Sequence, residues 1–105
     1  MNESALQRKI TKALQQRGAW VLKTHGGAYQ KVGIPDLFVC YRGRFIGFEV
    51  KTPQNRKGAT DLQIERLKEI RRAGGLAYVI RDVESALKVL EMLDKKRLKK
   101  SVDNG

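Results

Sequence analysis

The chain has 105 residues, 41% of them hydrophobic, which is enough for one folded domain with a single core and too little for two. Lys and Arg number 22 against 11 acidic residues, and the formal charge of +11 indicates a polyanionic partner, nucleic acid before a membrane surface. No apolar run approaches the ~20 residues of a membrane span, and no signal peptide is visible. The single cysteine, Cys40, excludes a disulfide framework and a cysteine zinc site, and it favours a reducing intracellular setting.

The first predicted element is an amphipathic helix from Asn2 to Arg17, followed by Gly18 as its stop. Apolar residues recur along it at helical spacing, and Asn2 suits the N-cap. Glu3 falls on the same stripe as the apolar residues. It is either a solvated residue that complements the helix dipole or a third carboxylate directed at the site described below.

A strand from Ala19 to Thr24 comes next, followed by a glycine-rich loop over residues 25–33. Alternation places Trp20 and Leu22 on one face, and we expect Trp20 to lie in the core. The glycines would let the loop backbone approach a phosphate. His25, the only histidine, either contacts the scissile phosphate or is an ordinary surface residue.

Two apolar runs of strand character follow, over residues 36–41 and 45–51, joined by a tight basic turn. Their nearly continuous apolar character is typical of central strands covered on both faces. The turn places the start of the first strand beside the end of the second, so Asp36 is expected to meet Glu49 across the ladder. Strand period places Glu49 and Lys51 on one face.

These three charged side chains converge on apolar strands, which is costly unless they are paired or bind a metal ion. Mg²⁺ prefers hard oxygen ligands, which Asp36, Glu49 and the Val50 carbonyl would provide. The cation would polarise a scissile phosphate, and Lys51 would hold the attacking water or neutralise charge in the transition state. The pattern therefore indicates a metal-dependent nuclease site. The alternative is an ordinary Glu–Lys cross-strand pair with Asp36 as a turn residue after proline. Gly47, on the same face, marks a bulge, room for a phosphate backbone, or both.

A polar, basic loop leads from this strand to a capping-box pattern at Thr60 and Gln63, and a helix then runs to about Ala73. Gln63 lies on the apolar stripe of that helix. It either closes the capping box only, or holds the attacking water or Lys51. Cations on the other faces would form a solvated surface that DNA can use: Arg66, Lys68, Arg71 and Arg72.

The last predicted elements are a strand from Leu76 to Ile80 and a helix capped by Asp82. Residues 95–105 are predicted to be a basic, flexible tail, so that residues 1–94 form the domain. The chain contains no internal repeat and no linker.

Several short segments carry a family resemblance that covers nearly the whole chain, from Glu3 to about Leu90. They are Glu3, Gly33-Ile34-Pro35-Asp36-Leu37, Glu49-Val50-Lys51-Thr52-Pro53, Leu62-Gln63 and Ala73-Gly74-Gly75. Together with the element order, they resemble the PD-(D/E)XK, restriction-endonuclease-like nucleases. Within these, the chain is similar to the stand-alone virus-type replication-repair nuclease (VRR-NUC) domains of phages and bacteria.

The resemblance implies an α/β fold with an αβββαβ core, a mixed sheet flanked by helices, and an added C-terminal helix. It implies Mg²⁺ or Mn²⁺, no small-molecule cofactor, and hydrolysis of DNA phosphodiester bonds. Metal binding maps onto Asp36, Glu49 and the Val50 carbonyl and catalysis onto Lys51, with Glu3 and Gln63 as accessory residues. DNA contacts are predicted at His25, Lys31, Arg42, Arg44, Arg56 and Lys57.

We expect a structure-specific endonuclease that cuts branched DNA, in particular four-way junctions, as a homodimer. A bare catalytic core has little surface for sequence readout, and a two-fold dimer presents two sites to a branched substrate. The expected location is cytoplasmic, in a bacterial host cell if the chain is phage-encoded. The alternatives are a monomeric flap or nicking endonuclease and a noncatalytic DNA-binding module with the same fold.

Overall fold

The structure is a computed structural model that describes residues 1–24 and 32–104, with side chains described as far as residue 96. Its elements are α1 (Glu3–Gln16), β1 (Trp20–Lys23), β2 (Leu37–Tyr41), β3 (Arg44–Val50), α2 (Asp61–Arg72), β4 (Leu76–Ile80) and α3 (Val83–Asn104). The strands form one mixed sheet in the order β1-β2-β3-β4; β1–β2 and β2–β3 are antiparallel and β3–β4 is parallel. The predicted α/β fold, with its αβββαβ core and added C-terminal helix, is confirmed.

Helices α1 and α3 pack together over one face of the sheet and enclose the main core. Asn2 caps α1, because its Oδ1 accepts a hydrogen bond from the Ala5 N–H at 2.8 Å. The helix ends before Gly18, whose φ of 90° lies in the left-handed region. The buried side chains of this core include Leu6, Ile10, Leu14, Leu37, Val39, Ile46, Phe48, Val50, Ala86, Leu90 and Leu93. No helix among the described residues is both long and apolar enough to cross a membrane.

Helix α2 packs on the opposite face, over β3 and β4. Its N-terminus has the predicted capping box: Gln63 N–H donates to Thr60 Oγ1 at 3.1 Å, and Thr60 N–H donates to Gln63 Oε1 at 2.9 Å. Gly47 lies beneath this helix, where a Cβ would meet Ile70 Cδ1 at 2.9 Å and Pro35 Cγ at 3.0 Å. The expectation that Gly47 is a bulge or leaves room for phosphate is therefore wrong. The ladder runs through Gly47 without a break, and its missing side chain lets α2 approach β3.

The same face is open over β1 and β2. The register places Trp20, Cys40 and Phe45 in one row across the strands, with Leu22 and Phe38 in the next. We call these five residues the open apolar face; Trp20 is 58% exposed, Leu22 48% and Phe45 41%. The expectations that Trp20 lies in the core and that β2 and β3 are covered on both faces are therefore wrong. The reason is that α2 packs mainly on β3 and β4 and leaves β1 and β2 uncovered on this side.

The β2–β3 turn and the C-terminal end of α3 can both be compared with what the sequence predicts. The β2–β3 turn consists of Arg42 and Gly43, with φ values of 49° and 79°, as a two-residue type I′ hairpin requires. Helix α3 continues to Asn104, through most of the segment from residue 95 that is predicted to be a flexible tail, and the flexibility of that segment stays a prediction. Lys, Arg and Leu are good helix formers, and no glycine or proline interrupts the segment before Gly105.

Candidate active site

Asp36 and Glu49 face each other where the β2–β3 ladder ends. Leu37 pairs with Phe48 in the register, so the next position brings Asp36 opposite Glu49, as predicted. The Val50 N–H donates to Asp36 Oδ2 at 2.8 Å, which fixes one oxygen of this carboxylate. The backbone of Asp36 is held as well, since its carbonyl accepts from the Thr24 N–H at 2.9 Å.

Glu3, in the first turn of α1, brings a third carboxylate to the same place. One carboxylate oxygen from each of Glu3, Asp36 and Glu49 lies within 4.8 Å of the other two. Glu3 is half-buried rather than fully solvated. The geometry supports the interpretation of Glu3 as a carboxylate directed at the site, rather than as a solvated residue that only complements the helix dipole.

Glu49 is the most buried member of this cluster. It is 1% exposed, and neither carboxylate oxygen has a hydrogen-bond partner among the described residues. Burial raises the pKa of Glu49 to about 8, with the nearby Asp36 carboxylate as the second cause, while Lys51 opposes the shift. Carboxylate oxygens that accept no hydrogen bond, beside two further carboxylates, form the hard oxygen donor set that Mg²⁺ or Mn²⁺ prefers. The residues present therefore fit a divalent metal ion.

Lys51 follows directly after β3 and completes the constellation. Its Nζ lies 3.3 Å from Glu49 Oε2, and the residue is 8% exposed. The Lys51 N–H donates to the Ile80 carbonyl at 3.0 Å, which extends the pairing of β3 with β4 to this residue. This ion pair runs along one strand rather than across two, and it adjoins the carboxylate cluster. An ordinary cross-strand pair therefore does not describe the arrangement.

Two other predicted site residues have identified positions but untested roles. Gln63 accepts a hydrogen bond through Oε1 in the capping box of α2. Val50 is buried at the end of β3, and its N–H is the group that holds Asp36. A catalytic role for the Gln63 amide and a ligand role for the Val50 carbonyl stay predictions.

The residues predicted to contact DNA are distributed over three places. His25 and Lys31 lie outside the described residues. Arg42 and Arg44 lie at the hairpin turn, about 15 Å along the five-residue ladder from the carboxylates. There Arg42 pairs with Asp94, and Arg44 donates to the Gly74 carbonyl at 3.1 Å. Arg56 and Lys57 are exposed in the loop between β3 and α2, and DNA contacts at these positions stay predictions.

The predicted solvated basic surface on α2 is largely engaged within the protein. Arg66 bonds Glu69 and the Val32 carbonyl, Arg71 bonds the Ala77 carbonyl, and Arg72 bonds Glu65. Lys68 is exposed. Three of the four cations therefore have protein partners, and the free positive charge of this helix is smaller than its sequence indicates.

Gln7, which lies one helical turn after Glu3, is not among the predicted site residues. Gln7 is 7% exposed, and its Oε1 has no hydrogen-bond partner among the described residues. The available signal was its i+4 spacing from Glu3, which places both side chains on one stripe of α1. Nothing in the sequence indicates that the amide is buried without a partner.

The fold and the carboxylate–lysine site define a nuclease domain of the PD-(D/E)XK class. Two solved structures share the fold: a VRR_NUC domain, 26% identical over 85% of this chain and 94% of that chain (TM-score 0.69), and a VRR_NUC domain protein, 20% identical over 88% and 87% (TM-score 0.70). The Holliday junction resolvase Hjc of Archaeoglobus fulgidus, an archaeal hyperthermophile, is 20% identical over 75% of this chain and 67% of that chain (TM-score 0.61). No curated protein matches the sequence.

A family model described as archaeal Holliday junction resolvase (hjc) matches residues 2–103. This chain belongs to that family, and it is a structure-specific nuclease. The match also spans most of the C-terminal segment that the sequence analysis assigned to a tail.

Proposed function

We propose that this protein is a Mg²⁺- or Mn²⁺-dependent endonuclease that cuts four-way DNA junctions as a homodimer. The observation that carries the proposal is the cluster of Glu3, Asp36 and Glu49 beside Lys51, in a chain of formal charge +11. Buried carboxylates facing a polyanion would weaken binding unless a cation lies between them. A module that only binds DNA has no use for such a cluster.

Glu3, Asp36 and Glu49 would hold the cation, with the Val50 carbonyl as a further ligand. When bound, the cation supplies Lewis-acid stabilisation of the negative charge that develops on the phosphate. The Val50 N–H keeps one oxygen of Asp36 fixed before substrate arrives. The ammonium group of Lys51 neutralises charge on the scissile phosphate or orients the attacking water, and Gln63 assists from the start of α2.

The open apolar face supports the homodimer. Its five residues form two adjacent rows across β1, β2 and β3, so the exposed apolar surface is contiguous rather than scattered. Contiguous apolar surface of this kind marks protein contacts, and a two-fold dimer pairs a surface with its own copy. A second copy is also the partner that gives a symmetric four-way junction two cutting sites.

Trp20→Glu is expected to produce a monomer that no longer makes paired cuts in a junction, because a charge on this face opposes its burial. Sedimentation velocity measures the oligomeric state, and denaturing gels measure the pairing of nicks. Gln16→Glu is the matched control, since Gln16 is exposed on α1 outside the face and the charge change is the same. A Trp20→Glu protein that remains a dimer would contradict this interface.

The test of the function is a cleavage assay on a four-way junction, a single flap and a linear duplex of matched sequence, with Mg²⁺, Mn²⁺ or EDTA. Paired, symmetric nicks in the junction alone are the expected result, with Lys51→Ala as the inactive control. Cutting confined to the flap would replace the proposal with a monomeric flap endonuclease. Absence of metal-dependent cutting on all three substrates would leave a noncatalytic DNA-binding module.

A further inference from the structure

A groove runs between α1 and the edge strand β1. It has a volume of about 370 Å³, and we call it the α1–β1 groove. Its lining residues are Gln7, Arg8, Thr11, Lys12, Gln15 and Lys23. Lys23 alternates with Trp20 and Leu22 along β1, so the groove lies on the face of the strand opposite to the open apolar face.

The charge of the groove is entirely positive. Among the residues that the structure describes, its lining has three cations, Arg8, Lys12 and Lys23, and no acidic residue. None of the three forms an ion pair or a hydrogen bond with another described residue, whereas Arg42 and Arg72 each pair with a carboxylate. Three unpaired cations along one groove are suited to a chain of phosphates.

The floor of the groove carries a second, independent signal. Gln7 is 93% buried, and its Oε1 has no hydrogen-bond partner among the described residues. Buried polar atoms normally have a partner, and a side-chain amide offers both donors and an acceptor. The orphaned Oε1 is an acceptor and a phosphodiester has no donor, so a water held between Gln7 and a phosphate in the groove would supply the missing partner.

The groove begins next to the carboxylate cluster. Gln7 follows Glu3 by one helical turn, about 6 Å along the axis. On the other wall, Lys23 precedes Thr24, whose N–H bonds the carbonyl of Asp36. From Gln7 the lining extends eight residues along α1 to Gln15, a distance of about 12 Å.

We propose that the α1–β1 groove binds the phosphate backbone of the cut DNA strand on one side of the scissile phosphate. A length of about 12 Å along α1 is enough for a few consecutive phosphates of one strand. The inference rests on the proposed function, because it takes DNA as the ligand and the Glu3–Asp36–Glu49 cluster as the cleavage centre.

The test compares two triple variants that lose the same positive charge, both made in a Lys51→Ala background. One removes the groove cations (Arg8→Ala, Lys12→Ala, Lys23→Ala), and the control removes three exposed lysines of α3 outside the groove (Lys88→Ala, Lys95→Ala, Lys96→Ala). We expect the groove variant to bind junction DNA about tenfold more weakly and to lose about 0.9 per lost contact from the log–log salt slope. The control is expected to change affinity by less than about threefold.

The position of the contacts is tested with uncharged methylphosphonate linkages placed one to four nucleotides from the cut, on one side and then the other. Substitution on the groove side should weaken binding by the parent protein and leave the groove variant unaffected. Equal sensitivity of both proteins, or equal affinity and salt slope of the two triple variants, would overturn the inference. The affinity and salt slope of the triple variants do not depend on cutting, so a wild-type protein that cuts no junction would remove the proposed function and leave that comparison readable.

Gln7→Met separates a binding role for Gln7 from a structural one. Methionine has a similar length and helix propensity but cannot donate or accept strongly, so the variant should keep or raise Tm while its junction affinity falls severalfold. Circular dichroism melting and a fluorescence anisotropy titration give the two readouts. A lowered Tm with unchanged affinity would assign Gln7 to packing and remove it from the groove.

Discussion

Lys51→Ala and Glu49→Gln are each expected to slow junction cutting by at least about 10²–10³-fold while changing junction affinity by less than about threefold. Glu49→Gln replaces a buried carboxylate oxygen by an amide nitrogen, and Lys51→Ala removes the ammonium group beside it. Neither substitution removes any of the exposed cations that are expected to determine the affinity for DNA. Single-turnover cleavage with saturating metal measures the chemical step, and anisotropy in EDTA measures binding.

Lys88→Ala is the matched control for Lys51→Ala, since Lys88 is exposed on α3 and pairs only with Glu84 one turn away. It should cut at the wild-type rate. If both site variants also cut at that rate, the carboxylate–lysine constellation is not the catalytic centre. If cutting and binding fail together, the residues maintain the DNA-binding surface rather than the chemistry.

The second large effect is on stability, which is expected to fall in the metal-free protein as pH rises from about 4.5 to about 8. The folded protein holds a proton on Glu49 over this range because the pKa of Glu49 is raised to about 8, whereas the unfolded chain has already released it near 4.5. The folded state therefore binds more protons, and the free energy of unfolding decreases with pH. The contribution of Glu49 to this loss is at most about 5 kcal/mol, complete once pH exceeds about 8.

Urea unfolding in EDTA at a series of pH values measures the effect, with Glu49→Gln as the reference. The glutamine variant lacks the titrating group, so the difference in unfolding free energy between the two proteins isolates Glu49 from every other titration. Wild-type protein should become the less stable of the two above pH 8, and Mg²⁺ should restore its stability, because binding a cation replaces the proton. Parallel pH profiles for the two proteins would show that Glu49 is ionised and solvated in the metal-free state.

The local signals in the sequence are sufficient for the element order and for the centre of the site. Asn2, Gly18 and the Thr60–Gln63 capping box mark helix ends through contacts within a few residues. The hairpin is equally local, because a two-residue turn fixes the register and the register brings Asp36 to Glu49. The position of Glu3 beside Asp36 and Glu49 was only one of two interpretations of the sequence. Helical spacing shows which stripe of α1 carries Glu3, but it does not show what that stripe packs against.

The errors arise where the outcome depends on a distant element. Alternation correctly puts Trp20 and Leu22 on one face, but it does not reveal that α2 leaves this face uncovered. The same helix explains Gly47, since only the packed structure shows Ile70 above it. Arg42 is another case, because its partner Asp94 lies 52 residues away in the sequence.

The side chains of β1 alternate between two faces, so the proposed assembly depends on the register of this strand. This edge strand has four residues, and in the proposed complex two of them, Trp20 and Leu22, meet the second copy while Lys23 borders the DNA. A shift of one residue in its pairing with β2 would exchange the faces and put the lysine into the dimer contact and the tryptophan beside the phosphates. The Thr24 N–H to Asp36 carbonyl bond, at the end of that pairing, opposes such a slip. This backbone hydrogen bond therefore helps to fix which face of β1 contacts the second copy and which face contacts the DNA.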